Sequence, residues 1–260
     1  MRVLITGHRG VLGTRVREYL SRTQPEVCQL YLKSNLLEVT AVRNEIRQLG
    51  HIDMVIHLAS VVAVKYVENH SNVARDINVG GTNALLEALH LNLQKPRIFF
   101  ASSSHVYGLR DIAFCENDVC NPVNQYGVTK LAAEQVCQNF IDSHNNEIVI
   151  GRIFSMWDML QQPPFLFPSL RKRFATENLN KDFKLFGALS LRDFQSAELI
   201  AIQCVELLLG SFSGIINIAS RKAQSVSDFA QSIAPRELKI IPTGESNQIM
   251  ADVSKLHGML

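Results

Sequence analysis

Three glycines, Gly7, Gly10 and Gly13, stand at GxxGxxG spacing between a short apolar run, Val3–Thr6, and a stretch with Leu12, Val16 and Leu20 at helical spacing. Glycine lets a chain turn sharply from strand to helix. It also lets backbone N–H groups approach a pyrophosphate at the helix N-terminus, where the macrodipole favours anions. Three glycines alone are a weak signal, and a tight strand–helix turn would use them too. Their place directly after VLIT and before an amphipathic helix makes the reading much sharper. It predicts a dinucleotide cradle built from Gly7, Gly10 and Gly13 with the intervening Val11 and Leu12.

The rest of the first half repeats the strand-then-helix rhythm. Candidate strands are Val27–Leu32, Met54–Leu58, Arg97–Ala101 and Ile148–Ile153, and candidate helices are Leu12–Arg22, Glu38–Leu49, Asn78–Leu91 and Gln125–Ser143. Such alternation predicts an α/β fold, a Rossmann-type doubly wound parallel sheet with right-handed crossovers. After Phe154 the rhythm weakens. Pro163, Pro164 and Pro168 interrupt Gln161–Phe167, then a helix at Glu198–Leu209, a strand at Gly214–Ile218 and a helix at Val226–Ile233 follow. The expected organisation is a dinucleotide-binding domain over residues 1–154. A small substrate lobe over 155–260 is interleaved with the last sheet elements.

Composition narrows the function classes. Lys+Arg 26 against Asp+Glu 24 gives no strongly basic face, so nucleic acid is not an expected partner. Five cysteines without a CxxC pair suggest neither a disulfide framework nor a zinc site. They read as reduced thiols. No signal-type segment opens the chain, and no run approaches the roughly 18 apolar residues of a membrane span. The expectation is a cytoplasmic protein without a metal or a membrane partner.

The second strand, VCQLYLKSN, ends without a carboxylate to accept the ribose 2′-hydroxyl of NAD, and carries Lys33 instead. Arg9 lies inside the glycine loop. Two cations near the adenosine ribose suit a 2′-phosphate, so NADP(H) is favoured and NAD(H) is the alternative.

Tyr126 and Lys130 form YxxxK at the start of the long helix, four residues apart and therefore on one face. An ammonium there would favour phenolate and let Tyr126 exchange a proton with a carbonyl or hydroxyl. The segment FFASSSHVYG ends the fourth strand about twenty residues earlier and supplies a serine that can bond the same substrate oxygen.

In this order, TGHRGVLG, DMVIHLAS, INVGGTNALLEAL, SSSHVYG, YGVTK, GRIFSMW, LRDF and INIASRKAQSVSDFA resemble the extended short-chain dehydrogenase/reductase family, the nucleotide-sugar epimerases, dehydratases and reductases. The match covers nearly the whole chain, and its first part is similar to reductases of the GDP-fucose synthase type. The resemblance implies Tyr126 as the acid/base, Lys130 as its partner on the phenol and the nicotinamide ribose, and Ser103 as the catalytic serine. It places Leu58, Ala59, Ser60 and Asn78 at the cofactor, Asn78 lying on a helix beside the active site; His57 reads as structural. Arg192, in LRDF, and Arg173 would meet the substrate diphosphate, while Ser155 stands where relatives often carry a substrate-binding asparagine. Ser104 and His105 also face the substrate in this reading. The family's dehydratases carry Asp-Glu where this chain has Ser104-His105, which argues against dehydration. His105 occupies a proton-transfer position, and Phe165 stands where a second acid/base would be needed for epimerisation at two carbons. The resulting expectation is an NADPH-dependent reductase of a nucleoside-diphosphate-linked 4-keto sugar, with homodimers by analogy. An NAD-dependent 4-epimerase and a non-catalytic dinucleotide-binding protein are the alternatives.

Overall fold

The computed structural model describes residues 1–259. Its strands are β1 Arg2–Thr6, β2 Cys28–Tyr31, β3 Met54–His57, β4 Arg97–Ser103, β5 Ile148–Ile153, β6 Ser155–Trp157, β7 Phe183–Phe186, β8 Leu191–Ser196, β9 Gly214–Ile218, β10 Ala223–Ser225, β11 Ile240–Thr243 and β12 Gln248–Ile249. The α-helices are α1 Val11–Thr23, α2 Val39–Leu49, α3 Val64–Asn69, α4 Ser71–Arg75, α5 Gly81–Leu91, α6 Gln125–His144, α7 Leu166–Thr176, α8 Ala197–Leu209, α9 Val226–Ile233 and α10 Ser254–His257.

Six strands form one parallel sheet in the order β2-β1-β3-β4-β5-β9. The apolar runs are buried on both faces, as a sheet covered by helices requires. Strand periodicity divides their side chains between two cores. Val3, Ile5, Phe99 and Val149 pack with α1 and α8. Leu4, Ile98, Phe100, Ile148 and Ile150 pack with α2, α5 and α6. The winding direction reverses between β1 and β3, which opens a crevice at their C-terminal ends, the general ligand position of doubly wound sheets.

The elements after β5 that lie outside the large sheet make a third core, the small lobe, from Phe167, Leu170, Phe183, Leu185, Val226 and Phe229. Here β8 is flanked by antiparallel β10 and parallel β12, with β6 also paired to it, and β7 pairs with β11. The chain re-enters the large sheet at α8 and β9. The last segment also returns to it: Asp252 N donates to Phe114 O at 2.8 Å, and Lys255 Nζ donates to Ile215 O at 2.6 Å.

Three sequence expectations need correction here. The helix expected over Asn78–Leu91 is instead a π-helical turn, Asp76–Gly80, leading into α5, and two short helices precede it. The prolines do not all break structure: Pro168 sits in the first turn of α7, where the missing N–H leaves no gap in the ladder. The strands β6, β7, β8 and β10 to β12 have no counterpart among the expected ones, because segments such as LRDFQS and AQS lack the continuous apolar runs that mark the large sheet. Among the described residues no helix is long and apolar enough to cross a membrane.

Candidate functional site

The glycine loop has the shape its sequence demands. Gly7 has φ +68, and a Cβ there would lie 2.7 Å from Ala59 N, so only glycine lets β1 turn against the end of β3. A Cβ on Gly13 would lie 2.7 Å from His8 Cα and overlap Gly7 O. Gly10 caps α1 without a side-chain hydrogen bond, and no acidic residue stands in the first turn. The first N–H groups of that helix, from Val11 to Gly13, therefore face the crevice with no side chain competing for them.

Beside this loop, Thr6 Oγ1 accepts from Leu58 N and Ala59 N, both at 3.2 Å. His57 bridges two elements: Nδ1 lies 2.6 Å from Thr6 Oγ1 and Nε2 lies 3.0 Å from Thr82 Oγ1. Thr82 Oγ1 donates to Asn78 O at 2.7 Å, so its free lone pair takes Nε2–H while Nδ1 accepts from Thr6. Full burial, helped by the charge of Lys130, depresses His57 to about 3. It is a neutral strut under the crevice, as the sequence reading had it.

Asn78 was expected at the cofactor. The structure makes it a brace instead. Its Oδ1 accepts from Ser60 Oγ (2.8 Å) and Val61 N (2.7 Å), and its Nδ2 donates to Val61 O and Thr129 Oγ1, both at 3.0 Å. Every polar position of the amide is engaged, so it ties the loop after β3 to α6 and leaves nothing for a ligand.

At the adenosine end, Tyr31 closes β2. The His8 ring lies 4.6 Å from the Tyr31 ring, and the Arg17 guanidinium lies 5.1 Å from it, with Arg17 Nε donating to Tyr31 Oη at 3.2 Å. Burial, then Arg9 and Arg17, push His8 below its ordinary value. One acid escaped the sequence reading. Glu45 reaches from α2 to the end of β2 and accepts from Lys33 N (2.9 Å) and Ser34 N (2.7 Å). Burial opposes its charge, but these bonds hold the carboxyl below its usual range. Its oxygens are already bonded to the chain's own N–H groups, and Arg9 and Lys33 are both exposed.

Ser103, Tyr126 and Lys130 come together at the C-terminal end of β4, where Ser103 pairs in register with Ile153 of β5. All three are buried. Lys130 Nζ sits 4.3 Å from the centre of the Phe100 ring and donates to no protein acceptor among the described residues. Burial lowers it to about 8. Burial likewise pushes the Tyr126 phenol up to about 12, with Ser103 beside it acting the other way. The expectation that Lys130 would pull the phenol down is therefore corrected. Desolvation disfavours the phenolate more than any neighbour favours it.

His105 follows in the 3₁₀ turn after β4, its ring edge-on to Tyr126 with centroids 5.4 Å apart. The backbone N–H of His105 donates to Ser103 Oγ at 3.2 Å. Burial and then Arg192 hold its imidazole below the usual value, so the Arg192 guanidinium lies near enough to act on the ring. Ser104 is buried at the start of the same turn. One partner escaped the sequence reading. Asn124 caps α6, with Oδ1 accepting from Gly127 N at 2.8 Å, and its Nδ2 lies 2.8 Å from His105 Nδ1. An Asn three residues before Gly127 is an N-cap signal that could have been read. A Cβ on Gly127 would overlap His105 O and lie 2.9 Å from Pro122 Cβ, so the YG pair is a packing requirement.

The substrate-side residues divide. Arg192 donates to Leu191 O (2.7 Å), Asn247 O (2.9 Å) and Asn247 Oδ1, which aims it beside His105. Ser155 begins β6, opposite Phe194 and two residues beyond β5. Arg173 does not join them. It grips Glu177 through two bonds of 2.6 and 3.0 Å, donates to Lys184 O and covers the Phe183 ring, so it fastens α7 to β7 rather than waiting for a phosphate.

Under the site, Arg152 bonds Glu134 through Nε (3.1 Å) and Nη2 (2.8 Å), Ser102 donates to the same carboxylate, and Arg152 Nη1 donates to Tyr107 Oη at 2.9 Å. A buried ion pair is a poor source of net stability, but losing one partner would strand the other. It fixes α6 against β4 and β5, and thereby Tyr126 and Lys130 against Ser103. A second clasp, Arg15 to Asp158 at 2.8 and 2.9 Å, joins α1 to the residue after β6. Among the described residues no group of three or more His, Cys, Asp or Glu could hold a metal ion.

Comparison with known proteins agrees with this geometry. The model of the NAD dependent epimerase/dehydratase family matches residues 3–209. An uncharacterized UDP-glucose epimerase, YtcB of Bacillus subtilis (strain 168), is 26% identical over 100% of this chain and 92% of its own length. GDP-6-deoxy-D-mannose reductase of Pseudomonas aeruginosa is 25% identical over 98% of this chain and 90% of its own. Among solved structures, RMD of Pseudomonas aeruginosa complexed with NADPH superposes with a TM-score of 0.89, at 23% identity, over 99% of this chain and 91% of that one. The Thermus thermophilus UDP-glucose 4-epimerase complex with NAD gives 0.85 at 20% identity, over 100% and 94%. With the glycine cradle, the Ser103–Tyr126–Lys130 cluster and a family match that takes in both, the chain belongs to the NAD dependent epimerase/dehydratase family of extended short-chain dehydrogenase/reductase enzymes.

Proposed function

We propose that this enzyme reduces the keto group of a nucleoside-diphosphate-linked 4-keto sugar with NADPH. The observation that carries the reading is the placement of the Tyr126 phenol, buried with Ser103 and Lys130 at the end of β4, where burial favours its protonated form. Reduction needs an acid at that place.

The residues present fit a dinucleotide. The backbone at Gly7 and Gly13 packs too closely against Ala59, Gly7 O and His8 for any side chain, which keeps the turn tight, and the first N–H groups of α1 are left uncapped for an anion. Arg9 and Lys33 at the β2 edge favour a 2′-phosphate, with Arg17 beside Tyr31 adding charge. When bound, the reduced nicotinamide supplies the hydride for the sugar carbonyl carbon. Ser103 Oγ donates to the carbonyl oxygen and holds it near Tyr126. The phenol passes its proton to that oxygen as negative charge develops there. The Lys130 ammonium, unpaired within the protein, then offsets the charge left on the phenol and can bond the nicotinamide ribose. Arg192 receives the diphosphate, and His105 faces the sugar beside it.

Tyr126→Phe should reduce turnover by about a thousandfold with cofactor affinity nearly unchanged, since the ring stays and only the proton is lost. Full activity in that variant would refute the assignment. A 4-epimerase is the second reading, favoured by the likeness to the Bacillus subtilis protein over the full chain. It would keep tightly bound NAD through purification, whereas the proposed reductase consumes added NADPH in proportion to product. Tight dinucleotide binding without turnover on any nucleotide sugar would instead support a non-catalytic role.

A further inference from the structure

Asn124 makes two bonds that together decide which nitrogen of His105 carries the proton. Gly127 N lies in the first turn of α6 and needs an acceptor, and Asn124 Oδ1 supplies it at 2.8 Å. The other end of the amide is then the NH₂ group, and it lies 2.8 Å from His105 Nδ1. An NH₂ group only donates, so Nδ1 must be an acceptor and the proton of a neutral imidazole sits on Nε2. The charged and titratable groups facing this ring are Arg192 from β8 and Tyr126 from α6, while the Ser103 hydroxyl meets the backbone N–H of His105. None is a carboxylate that would favour an imidazolium. The backbone is held as well, because Gly127 packs against His105 O.

We infer that Asn124 is a positioning residue that locks His105 as the Nε2–H tautomer, so that His105 serves the sugar as a fixed hydrogen-bond donor and not as the acid/base its position suggests. The cap of the helix that carries Tyr126 thereby sets the protonation of the second substrate-facing group. The tautomer follows from the two bonds alone, whereas the donor's target rests on the proposed sugar substrate.

Protein labelled with ¹⁵N-histidine, studied by long-range ¹H–¹⁵N correlation at neutral pH and assigned with His105→Gln, tests the lock without any substrate. Wild type should show a protonated Nε2 and an unprotonated Nδ1 at His105. Asn124→Asp keeps a competent cap but offers only acceptors, so it should move the proton to Nδ1 or yield an imidazolium. A wild-type Nδ1–H, or a tautomer indifferent to Asn124→Asp, would overturn the inference. With a 4-keto sugar, His105→Gln retains an N–H donor near the Nε2 position and should stay within about tenfold of wild-type kcat/KM, while His105→Ala falls about a hundredfold. Equal losses in the two variants would refute the donor role. Absence of any ketosugar turnover in wild type would sink the proposed reaction while leaving the spectroscopic result standing.

Discussion

His57 gives the most quantitative test of how the crevice is built. Its ring is fully buried between Thr6 and Thr82, and its pKa falls from 6.5 to about 3 because burial penalises the imidazolium. The folded pKa lies below the unfolded one, so the unfolded chain takes up the proton first as pH falls. The full stability is present above about pH 6.5 and declines as pH falls toward 3. Between pH 7.5 and 5.0 the unfolded imidazole gains most of a proton that the folded one refuses. At 1.36 kcal/mol per pKa unit over about 1.5 units, that is about 2 kcal/mol. His57→Gln keeps a donor for Thr82 and an acceptor for Thr6 but does not titrate. Urea unfolding at both pH values should show the wild type losing about 2 kcal/mol more than the variant across that interval. Asp53, Asp118 and Asp158, all held below the usual carboxylate range, lose their contributions at lower pH, and both proteins share them. His8 and His105 are shared too, so the difference isolates the one ring. Parallel pH dependences would show that His57 protonates freely in the native state, and the account of the strut would be wrong.

Gly13→Ala should abolish dinucleotide binding by equilibrium titration, since the added methyl collides with the backbone at Gly7 and His8 that shapes the cradle. Gly127→Ala forces His105 O and Pro122 away from α6. It should cost about 1–3 kcal/mol in urea unfolding and, by shifting the site on the order of 1 Å, lower turnover about a hundredfold. Asp158→Asn removes the carboxylate that grips Arg15 across the two lobes. It should lower stability by about 1–2 kcal/mol and raise KM for the sugar more than KM for the dinucleotide, because it frees the segment after β6 that begins with Ser155.

Much of the site was legible in the chain because its chemistry depends on local spacing. Gly7, Gly10 and Gly13 have to follow one strand and open one helix, and Tyr126 and Lys130 have to share one helical face. Those constraints act within a few residues, so they leave a mark that a reader of the sequence can find. The parallel sheet was legible for a related reason: strands buried on both faces read as apolar runs separated by amphipathic helices. The lobe was not. Its strands are short, their pairing joins segments far apart, and β12 meets β8 across more than fifty residues of chain.

The sequence by itself determined the wound sheet, the glycine turn and the placing of Tyr126 and Lys130 on one helical face, because each is fixed by residue type and near-neighbour geometry. Only the tertiary structure decided what the long-range polar groups do. It made Asn78 a brace, turned Arg173 toward Glu177, brought Glu45 to the end of β2 and set Asn124 against His105. It also moved Tyr126 against the expected direction, because a pKa is set by everything around the group, and burial outweighs the Ser103 hydroxyl beside the phenol. A hydrogen bond needs two partners within about 3 Å, and sequence distance says nothing about which pairs the fold will bring that close.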